Sequence, residues 1–459
     1  MGVGDLDRIF KAYDVRGVVP DDLDEDLARR IGAAFAEWSG APKIVIGRDC
    51  RLSSPDMATA MAEGITSRGS GVVDLGLAST DLLYFASGSL DLPGVMITAS
   101  HNPKQYNGVK FCLSGARPVG QESGLLEVRA LTEQGLTRTA HPGVVEHRDL
   151  LPAYVDHVLT FLDPSHMRPL TVAIDTANGM GGLVAPAVLE RLPVELHHLY
   201  PELDGTFPNH PADPIDPQNQ LDLKASVLAH HADIGLAFDG DADRVFLIDE
   251  QAQDVSGSIV TALVAKSMLA REPGASIIYN VICSWTVPEV IRENGGVPVR
   301  TRVGHSFIKQ VMADTGAIFG GEHSGHYYFR ENYRADSGLI AAVVVLAQLS
   351  EANVHLSELL QPFRRYADSG EINSRVDDQH ATIDRIAQTL SHGREDRLDG
   401  LTVEFEDWWC NVRASNTEPL LRLNVEAKTE TLLEEKTSMV LELIRGKANG
   451  KATGKRGGS

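Results

Sequence analysis

The chain has 459 residues, 43% of them hydrophobic, which is enough for several domains with buried cores. Its 63 acidic residues outnumber its 42 basic residues, and the formal net charge is −21. A field of this sign repels nucleic acid and anionic membrane surfaces, so we expect neither as a partner, and a phosphate ligand requires a local basic cluster.

The cysteines and the N-terminus indicate the compartment. The 4 cysteines are scattered without a C-x-x-C pair, which favours a reducing environment over a disulfide scaffold or a zinc site. The N-terminus is acidic and lacks the basic and apolar segments of a signal peptide, and the longest apolar run, 339–347, is too short to span a bilayer. We therefore expect a soluble cytoplasmic protein, and no sequence feature indicates an oligomeric state.

Helical and strand-like patterns alternate through most of the chain. Apolar residues at helical spacing predict helices at 23–38 and from 339, and Ser54 with Pro55 predicts the capped start of a helix that ends near residue 68. Apolar and β-branched runs predict strands at 43–47, 72–73, 95–97, 107–113, 171–175, 233–238, 245–248, 276–279, 297–300, 317–319, 401–405 and 420–425. Strands that alternate with helices predict βαβ units and mostly parallel sheets.

The order of these elements predicts an α/β chain of four domains. We expect three α/β domains with mixed sheets and, where the order changes to strand, helix, strands and helix, a smaller C-terminal α+β domain. The predicted ranges are 1–149, 150–251, 252–366 and 367–446, followed by a disordered tail at 447–459.

The first polar loop, residues 98–103, follows the strand at 95–97 and contains Ser100. Loops at the carboxyl ends of parallel strands are where α/β folds place ligand sites, and Pro103 ends the strand ladder. Ser, His and Asn are also ordinary turn formers, so a structural turn is the alternative. Three further loops favour a functional role for Ser100.

The second polar loop places Asp239, Asp241 and Asp243 directly after a predicted strand. Small residues between them let the backbone curl so that three carboxylates face one hard cation, whereas without a cation they would repel one another. A calcium EF-hand with Glu250 at its last ligand position is one alternative, but Arg244 stands where that loop needs glycine. A solvated turn is the other, and we predict a magnesium site.

The third polar loop, residues 320–326, carries Glu322, Ser324 and His326 among glycines. A carboxylate beside a hydroxyl suits a polyol such as a sugar, because it accepts hydrogen bonds from adjacent hydroxyl groups. A zinc site at His323 and His326 would lack further ligands, so ordinary loop histidines are the alternative.

The fourth polar loop, residues 413–419, begins with Arg413 and continues with Ser415, Asn416 and Thr417. A guanidinium group, two hydroxyls, an amide and backbone N–H groups within five residues form a phosphate cradle. A capped turn is the alternative. Positive charge in the same cleft can come from Arg16, Lys110, Arg302, His305 and Lys309.

In order and spacing, these four loops resemble the signature set of the α-D-phosphohexomutases, and among them the bacterial phosphomannomutase/phosphoglucomutases. Residues 11–17 and 304–309 carry the same resemblance. The resemblance implies four domains round a central cleft, a hexose phosphate substrate, Mg²⁺, and glucose 1,6-bisphosphate or mannose 1,6-bisphosphate as activator.

The resemblance also implies a role for each candidate residue. Ser100 is the phosphoserine, and its phosphate binds Mg²⁺ together with Asp239, Asp241 and Asp243. Arg244 neutralises the phosphate, and His101 or Lys110 carries the proton. The implied substrate-binding residues are Arg16, His305, Glu322, Ser324, His326, Arg413, Ser415, Asn416 and Thr417. One departure is that residues 281–283 offer no basic side chain where relatives have one, so we expect Arg300 or Arg302 to share the phosphate contact.

The implied reaction is the interconversion of mannose 6-phosphate and mannose 1-phosphate through a phosphoserine and a hexose 1,6-bisphosphate, with glucose phosphates as further substrates. Phosphoglucosamine mutase and phosphoglucomutase are the alternatives within the family. A sugar-phosphate phosphatase would release inorganic phosphate without a bisphosphate. A non-catalytic sugar-phosphate-binding or calcium-binding protein would keep its binding when Ser100 is replaced by alanine.

Overall fold

The computed structural model describes residues 6–414 and 420–446, and within these ranges four β-sheets follow one another along the chain. The first three sheets combine parallel and antiparallel pairs and carry helices, and the fourth is antiparallel. The predicted architecture of three α/β domains and one smaller α+β domain is therefore confirmed.

The first domain has a parallel centre with antiparallel strands on one side. Its elements are β1 (Val15–Val18), α1 (Glu25–Ser39), β2 (Lys43–Arg48), α2 (Ser54–Ser67), β3 (Gly71–Leu77), α3 (Thr80–Leu90), β4 (Gly94–Ile97), β5 (Tyr106–Leu113), β6 (Arg117–Pro118), α4 (Leu125–Gln134) and β7 (Val145–His147). The strand order is β1-β5-β4-β2-β3-β7, with β6 beside β5. The cap of α2 differs from the prediction, because Ser53 precedes the helix while Ser54 donates to Asp49 from inside it.

The second domain pairs β8 in parallel with both β9 and β10 and continues as an antiparallel hairpin. Its elements are α5 (Leu151–Leu159), β8 (Leu170–Asp175), α6 (Gly181–Leu189), β9 (Val194–Leu199), α7 (Leu221–His230), β10 (Ile234–Phe238), β11 (Val245–Asp249) and β12 (Asp254–Val255). The hairpin rules out the EF-hand, since strands rather than helices flank residues 239–244.

The third domain places two parallel pairs and one antiparallel pair in a four-stranded sheet. Its elements are α8 (Gly257–Arg271), β13 (Ser276–Asn280), α9 (Thr286–Glu293), β14 (Val297–Thr301), α10 (His305–Thr315), β15 (Phe319–Gly321), β16 (Tyr327–Phe329), α11 (Gly338–Ala352) and α12 (Leu356–Leu360). β15 begins two residues later than predicted and takes the first glycines of the third polar loop into the sheet.

The fourth domain is an antiparallel sheet with the order β17-β21-β20-β19-β18. Its elements are β17 (Ala367–Arg375), α13 (Gln379–Thr389), β18 (Arg394–Asp396), β19 (Leu401–Glu404), β20 (Trp408–Ala414), β21 (Leu420–Ala427) and α14 (Glu430–Arg445). The tail predicted at 447–459 lies outside the described residues.

The apolar cores show how the domains are joined. One cluster runs from α3 through the second and third domains, and α11 lies almost entirely within it. The fourth domain has a separate core formed by residues between 383 and 444. It meets the third domain through polar contacts, such as those that Trp285 donates to Glu426 and Glu404. The core of the fourth domain is therefore not continuous with the cluster that runs from α3 through the second and third domains.

The hydrophobic helices of the described ranges are core elements. None of them is by itself long and apolar enough to cross a membrane, and the pair Gly338–Ala352 and Leu356–Phe363, which together reach that length, is bent by 100°. Most of α11 is buried inside the protein.

Candidate active site

Ser100 stands directly after β4 in a strained backbone conformation, with a φ of 50°. Its backbone N–H donates to Thr98 Oγ1 over 2.9 Å, and its hydroxyl donates to Asp239 Oδ2 over 2.8 Å. Arg244 Nη2 donates to the same hydroxyl oxygen over 3.1 Å. A non-glycine residue in the left-handed region costs conformational energy and is common at functional sites. The loop thus holds this hydroxyl between a carboxylate and a guanidinium group.

His101 supplies a neutral imidazole beside the serine. Its Nδ1 lies 3.3 Å from Ser100 Oγ and also contacts Arg244 Nη2. Burial and the charge of Arg244 lower the pKa of His101 well below its usual value. The ring is therefore uncharged at neutral pH, and the lone pair of its Nδ1 is directed at Arg244 and the Ser100 hydroxyl.

The loop between β10 and β11, residues 239–244, gathers three buried carboxylates. Asp239, Asp241 and Asp243 are 0 to 2% exposed, and one oxygen from each lies within 4.8 Å of the others. Among the described residues, Oδ1 of Asp241 and Oδ1 of Asp243 have no hydrogen-bond partner. Buried carboxylate oxygens without donors are costly, and they are the ligands that Mg²⁺ prefers. These residues therefore fit a divalent cation.

Lys110 and Arg244 are the cations that face this acidic loop. Lys110 Nζ lies 2.7 Å from Asp241 Oδ2 and 2.6 Å from Asp243 Oδ2, and Arg244 Nη2 lies 2.7 Å from Asp239 Oδ2. Burial, with the neighbouring carboxylates, raises the pKa of Asp239 to about 8. Burial also acts to raise the pKa of Asp241, but Lys110 and Thr80 hold it well below its usual value. The three carboxylates therefore repel one another, which a divalent cation would relieve.

The third polar loop brings Glu322, Ser324 and His326 together. Glu322 is 2% exposed and accepts from Tyr328 Oη over 2.7 Å, from Asn280 Nδ2 over 3.1 Å and from the N–H of Gly304 over 3.1 Å. The Ser324 hydroxyl lies 3.1 Å from His326 Nδ1, and His326 Nε2 lies 3.9 Å from Asp243 Oδ1. The loop is therefore fixed next to the acidic loop, and Oε2 of Glu322, which within the described ranges accepts only from Tyr328, retains capacity for a further donor.

The remaining candidates lie on several domains. Arg16 on β1 contacts Asn102 of the serine loop and Asp14, whose Oδ2 is 2.6 Å away. Arg413 on β20 is 7% exposed and pairs with Glu371. His305 begins α10, while Ser415, Asn416 and Thr417 lie outside the described residues.

The two arginines expected to replace a missing basic residue differ in their environments. Arg300 Nη1 lies 2.6 Å from Asp396 Oδ2 of the fourth domain, so its charge is already paired across the domain contact. The Arg302 guanidinium lies 4.3 Å from the centre of the Phe307 ring and is exposed. Of the two, Arg302 is the one whose N–H groups are open to a phosphate.

Arg51 organises the serine loop, although it was absent from the sequence-based candidates. Its guanidinium donates to the backbone carbonyl oxygens of Ser100, Asn102, Pro103 and Tyr106 over 2.7 to 3.1 Å. It also pairs with Asp49 at 3.1 Å, and the two side chains are 0 and 3% exposed. The sequence signal is the charged pair directly after β2, a position at which strand ends carry site residues.

We expect Arg51→Leu to lower the free energy of unfolding by about 3 kcal/mol or more, because it leaves Asp49 buried without a counter-ion and removes the guanidinium donors of four carbonyl oxygens. Urea unfolding measures the change. Arg29→Leu is the matched control, since Arg29 is 41% exposed in its pair with Glu63 and its loss should cost less than about 1 kcal/mol. Equal losses in the two variants would contradict this role of Arg51.

His210 connects the segment between β9 and α7, which contains Pro208, Pro211 and Pro214, to the end of β8. Its Nε2 lies 3.0 Å from Asp175 Oδ2, and its Nδ1 lies 2.8 Å from the carbonyl oxygen of Pro211. Burial lowers the pKa of His210, but the hydrogen bond and charge of Asp175 outweigh it, so the pKa lies above the usual 6.5. A raised pKa in the folded state means that protonation of His210 stabilises the fold.

We therefore expect His210→Gln to cost about 1 kcal/mol of unfolding free energy at pH 6 and progressively less as the pH rises through the folded-state pKa. The stabilisation is complete below pH 6.5, where the unfolded state is also protonated, and is lost at higher pH. Chemical unfolding of both proteins between pH 5.5 and 9 measures the difference. A difference that stays constant over this range would show that His210 acts without its charge.

Comparisons with known proteins agree along the whole chain. Three family profiles described as phosphoglucomutase/phosphomannomutase alpha/beta/alpha domains I, II and III match residues 7–136, 152–253 and 256–366, and the C-terminal domain of the same family matches 371–443. The chain is 39% identical over 446 residues to proteins named phosphohexose mutases from Xanthomonas campestris, covering 95% of this chain and 99% of the relative.

Two further relatives extend the comparison. The chain is 39% identical over 448 residues to a phosphomannomutase of Salmonella montevideo, covering 95% of this chain and 98% of the relative. A crystal structure of a phosphoglucomutase/phosphomannomutase family protein from Burkholderia thailandensis superposes with a TM-score of 0.88 at 34% identity, over 96% of this chain and 98% of that one. Sequence and fold are therefore similar over the full set of domains.

Proposed function

Because the chain belongs to the phosphoglucomutase/phosphomannomutase family, we propose that it is a phosphohexomutase that interconverts mannose 6-phosphate and mannose 1-phosphate. The observation that carries the proposal is the hydroxyl of Ser100, fixed between Asp239 and Arg244 beside three clustered carboxylates. Phosphoryl transfer needs a positioned oxygen and fixed positive charge more than it needs covalent chemistry from the protein, and this site supplies both.

We propose that Ser100 is phosphorylated in the resting enzyme. The free hydroxyl of a bound hexose phosphate attacks that phosphorus, so a bond from phosphorus to the sugar oxygen forms as the bond to Ser100 Oγ breaks. The proton that the sugar hydroxyl loses has to reach Ser100 Oγ as that oxygen leaves phosphorus, and His101 is the proposed carrier, because its imidazole is uncharged and its Nδ1 lies 3.3 Å from the serine oxygen. Arg244 and Lys110 offset the charge on the transferring group.

The product of this step is a hexose 1,6-bisphosphate. The bisphosphate reorients within the cleft and returns its other phosphate to Ser100, which completes the isomerisation without net loss of phosphate. We propose that added glucose 1,6-bisphosphate or mannose 1,6-bisphosphate activates the enzyme by restoring phosphoserine. Water must be excluded while the bisphosphate reorients, since otherwise the phosphoserine would be hydrolysed.

We propose that Asp239, Asp241 and Asp243 hold Mg²⁺ together with an oxygen of the serine phosphate. When bound, the ion would withdraw charge from the phosphoryl group. The unpartnered oxygens of Asp241 and Asp243 support this assignment. Lys110, which contacts both carboxylates, would then be released towards the transferring phosphate.

We propose that the other candidates hold the substrate. Glu322, Ser324 and His326 bind sugar hydroxyls, Arg16 and His305 line the reacting end, and Arg413 with Ser415, Asn416 and Thr417 holds the phosphate that is not reacting. The separate core of the fourth domain supports closure of that domain over the sugar, with exclusion of water. Mannose is assigned from the names of the relatives, and phosphoglucosamine mutase and phosphoglucomutase are the competing activities.

The cysteines and the net charge support proposals about the compartment and the partners of the protein. All 4 cysteines are unpaired thiols, which supports a reducing compartment such as the cytoplasm. The net charge of −21 supports small-molecule substrates over nucleic acid or membrane partners.

Phosphorus NMR tests the proposal. The purified protein is given Mg²⁺, a trace of glucose 1,6-bisphosphate and, separately, mannose, glucose and glucosamine 1-phosphates. We expect conversion to the 6-phosphates, fastest with mannose. Release of inorganic phosphate alone would identify a phosphatase and reject the mutase, whereas fastest conversion of glucosamine 1-phosphate would replace the substrate assignment.

A further inference from the structure

Two arginines face each other in the sheet of the fourth domain. The register of β20 and β21 pairs Arg413 with Arg422, and directly paired residues on antiparallel strands point to the same face with their Cβ atoms about 5 Å apart. Like charges in this position are destabilising. The pair therefore requires an anion between its two members.

Glu371 on β17 is that anion. It pairs with Arg413, and its Oε1 lies 3.4 Å from Arg422 Nη1, so one carboxylate serves both guanidinium groups. A β-bulge between Asp368 and Glu371 precedes it, and bulges re-aim side chains next to functional sites. One carboxylate in direct contact with two guanidinium groups leaves their charges only partly paired, and Asp399 and Glu322 act on Arg413 from farther away.

Arg422 has unused hydrogen-bonding capacity. Its side chain is 39% exposed, and its buried Nε has no hydrogen-bond partner among the described residues. Its contact with Glu371 is long for an ion pair, so most of its five N–H donors are open to a ligand. In contrast, the side chain of Arg413 is 8% exposed and also donates to Asn424 Oδ1 over 3.3 Å.

The two arginines lie on the face of the fourth domain that is turned towards the third domain. β20 and β21 flank residues 415–419 of the fourth polar loop in the chain. The crevice between the third and fourth domains is lined by His323 of the third polar loop and by Asn424, whose Oδ1 accepts a hydrogen bond from Arg413. The face of the sheet that carries the pair is thus turned towards the sugar-binding loop, while the opposite face packs on the domain core.

We infer that Arg422 is a second guanidinium group of the substrate-phosphate site, and that Glu371 is a resident anion which the non-reacting phosphate of the hexose displaces. The inference rests on the proposed function in taking a hexose phosphate as the ligand. A phosphate monoester carries a charge of about −1.5 to −2 at pH 7 and offers three acceptor oxygens. It therefore bridges two arginines better than the single charge of Glu371 does.

Three substitutions test the inference in the isomerase assay. Arg422→Gln should raise KM for mannose 1-phosphate about tenfold and leave kcat within about twofold, because the non-reacting phosphate is held equally in ground and transition states. Glu371→Gln should lower KM about threefold, since it removes the competing anion. Arg397→Gln is the matched control: Arg397 lies on the same domain, pairs with Glu395 and Asp384, and should leave KM unchanged.

Several outcomes decide the matter. An unchanged KM in Arg422→Gln, an equal change in Arg397→Gln, a fall in kcat alone, or a higher KM in Glu371→Gln would overturn the inference. If Arg422→Gln fails to fold, Arg422→Lys, which keeps the charge but not the bidentate geometry, should raise KM by a smaller factor. Calorimetric titration with mannose 1-phosphate, with each substitution combined with Ser100→Ala, makes the same comparison without turnover. A wild-type protein that binds but does not isomerise would reject the proposed function and leave the arginine pair testable by its Kd.

Discussion

Replacing Ser100 by alanine is expected to abolish the interconversion of mannose 1-phosphate and mannose 6-phosphate, by about 10⁴-fold or more, in a chain that still folds. The Ser100 hydroxyl is the acceptor and donor oxygen of both transfers, and no other hydroxyl in the described ranges lies within hydrogen-bond distance of both Asp239 and Arg244. Coupled spectrophotometric assay of purified protein measures the rate, and circular dichroism checks the fold.

A matched serine provides the control for this variant. Ser89 lies at the exposed end of α3, and its hydroxyl donates only to the Ala86 carbonyl oxygen, over 3.4 Å. Ser89→Ala should therefore retain full activity. Binding of mannose 1-phosphate should survive in Ser100→Ala, because the proposed sugar and phosphate contacts belong to other residues. If Ser100→Ala isomerised mannose phosphates at a rate near that of the wild type, the phosphoserine mechanism would be rejected.

Asp241→Asn is expected to lower activity by about a thousandfold or more and to raise the Mg²⁺ concentration needed for half-maximal activity. Asp241 contributes a buried oxygen without a hydrogen-bond partner, which the amide replaces with a neutral and weaker ligand. Chelation of divalent cations should inactivate the wild type, and added Mg²⁺ should restore it. Titration of activity against Mg²⁺ measures both effects.

The control for the acidic loop is Asp254→Asn. Asp254 is an exposed residue of β12 in the same sheet, and its charge is paired with Lys224 at 2.7 Å. This variant makes the same change in net charge far from the proposed ion, so its Mg²⁺ dependence should equal that of the wild type. An Asp241→Asn enzyme with unaltered Mg²⁺ dependence would show that the loop does not hold the ion.

The resemblance of the four polar loops to the phosphohexomutase signature set predicted which of them meet. Ser100 and Asp239 follow buried strands, β4 and β10, and the carboxyl ends of such strands are where α/β folds gather ligand groups. Because these two strands belong to different sheets, it was the family resemblance that placed both residues in one site, and the hydrogen bond of 2.8 Å between them shows that they are adjacent.

The supporting residues were less accessible to sequence reasoning. Arg51 and Glu371 are charged residues, and charge by itself favours no role in a site, because charged residues are usually solvated at the surface. Their contacts depend on tertiary packing: Arg51 reaches carbonyl oxygens about 50 residues away, and Glu371 meets two arginines on other strands. Local patterns locate loops, whereas only the assembled fold shows which ion pairs hold them.

The central claim is that the phosphate on Ser100 is passed to the hexose and is replaced by the other phosphate of the bisphosphate. The most direct measurement labels the serine with radioactive phosphate from glucose 1,6-bisphosphate, removes the excess, and mixes the labelled protein with unlabelled mannose 6-phosphate and Mg²⁺ for a single turnover. We predict that the label appears in mannose 1,6-bisphosphate and then in mannose monophosphates. Label that remained on the protein, or that was released only as inorganic phosphate, would contradict the mutase mechanism.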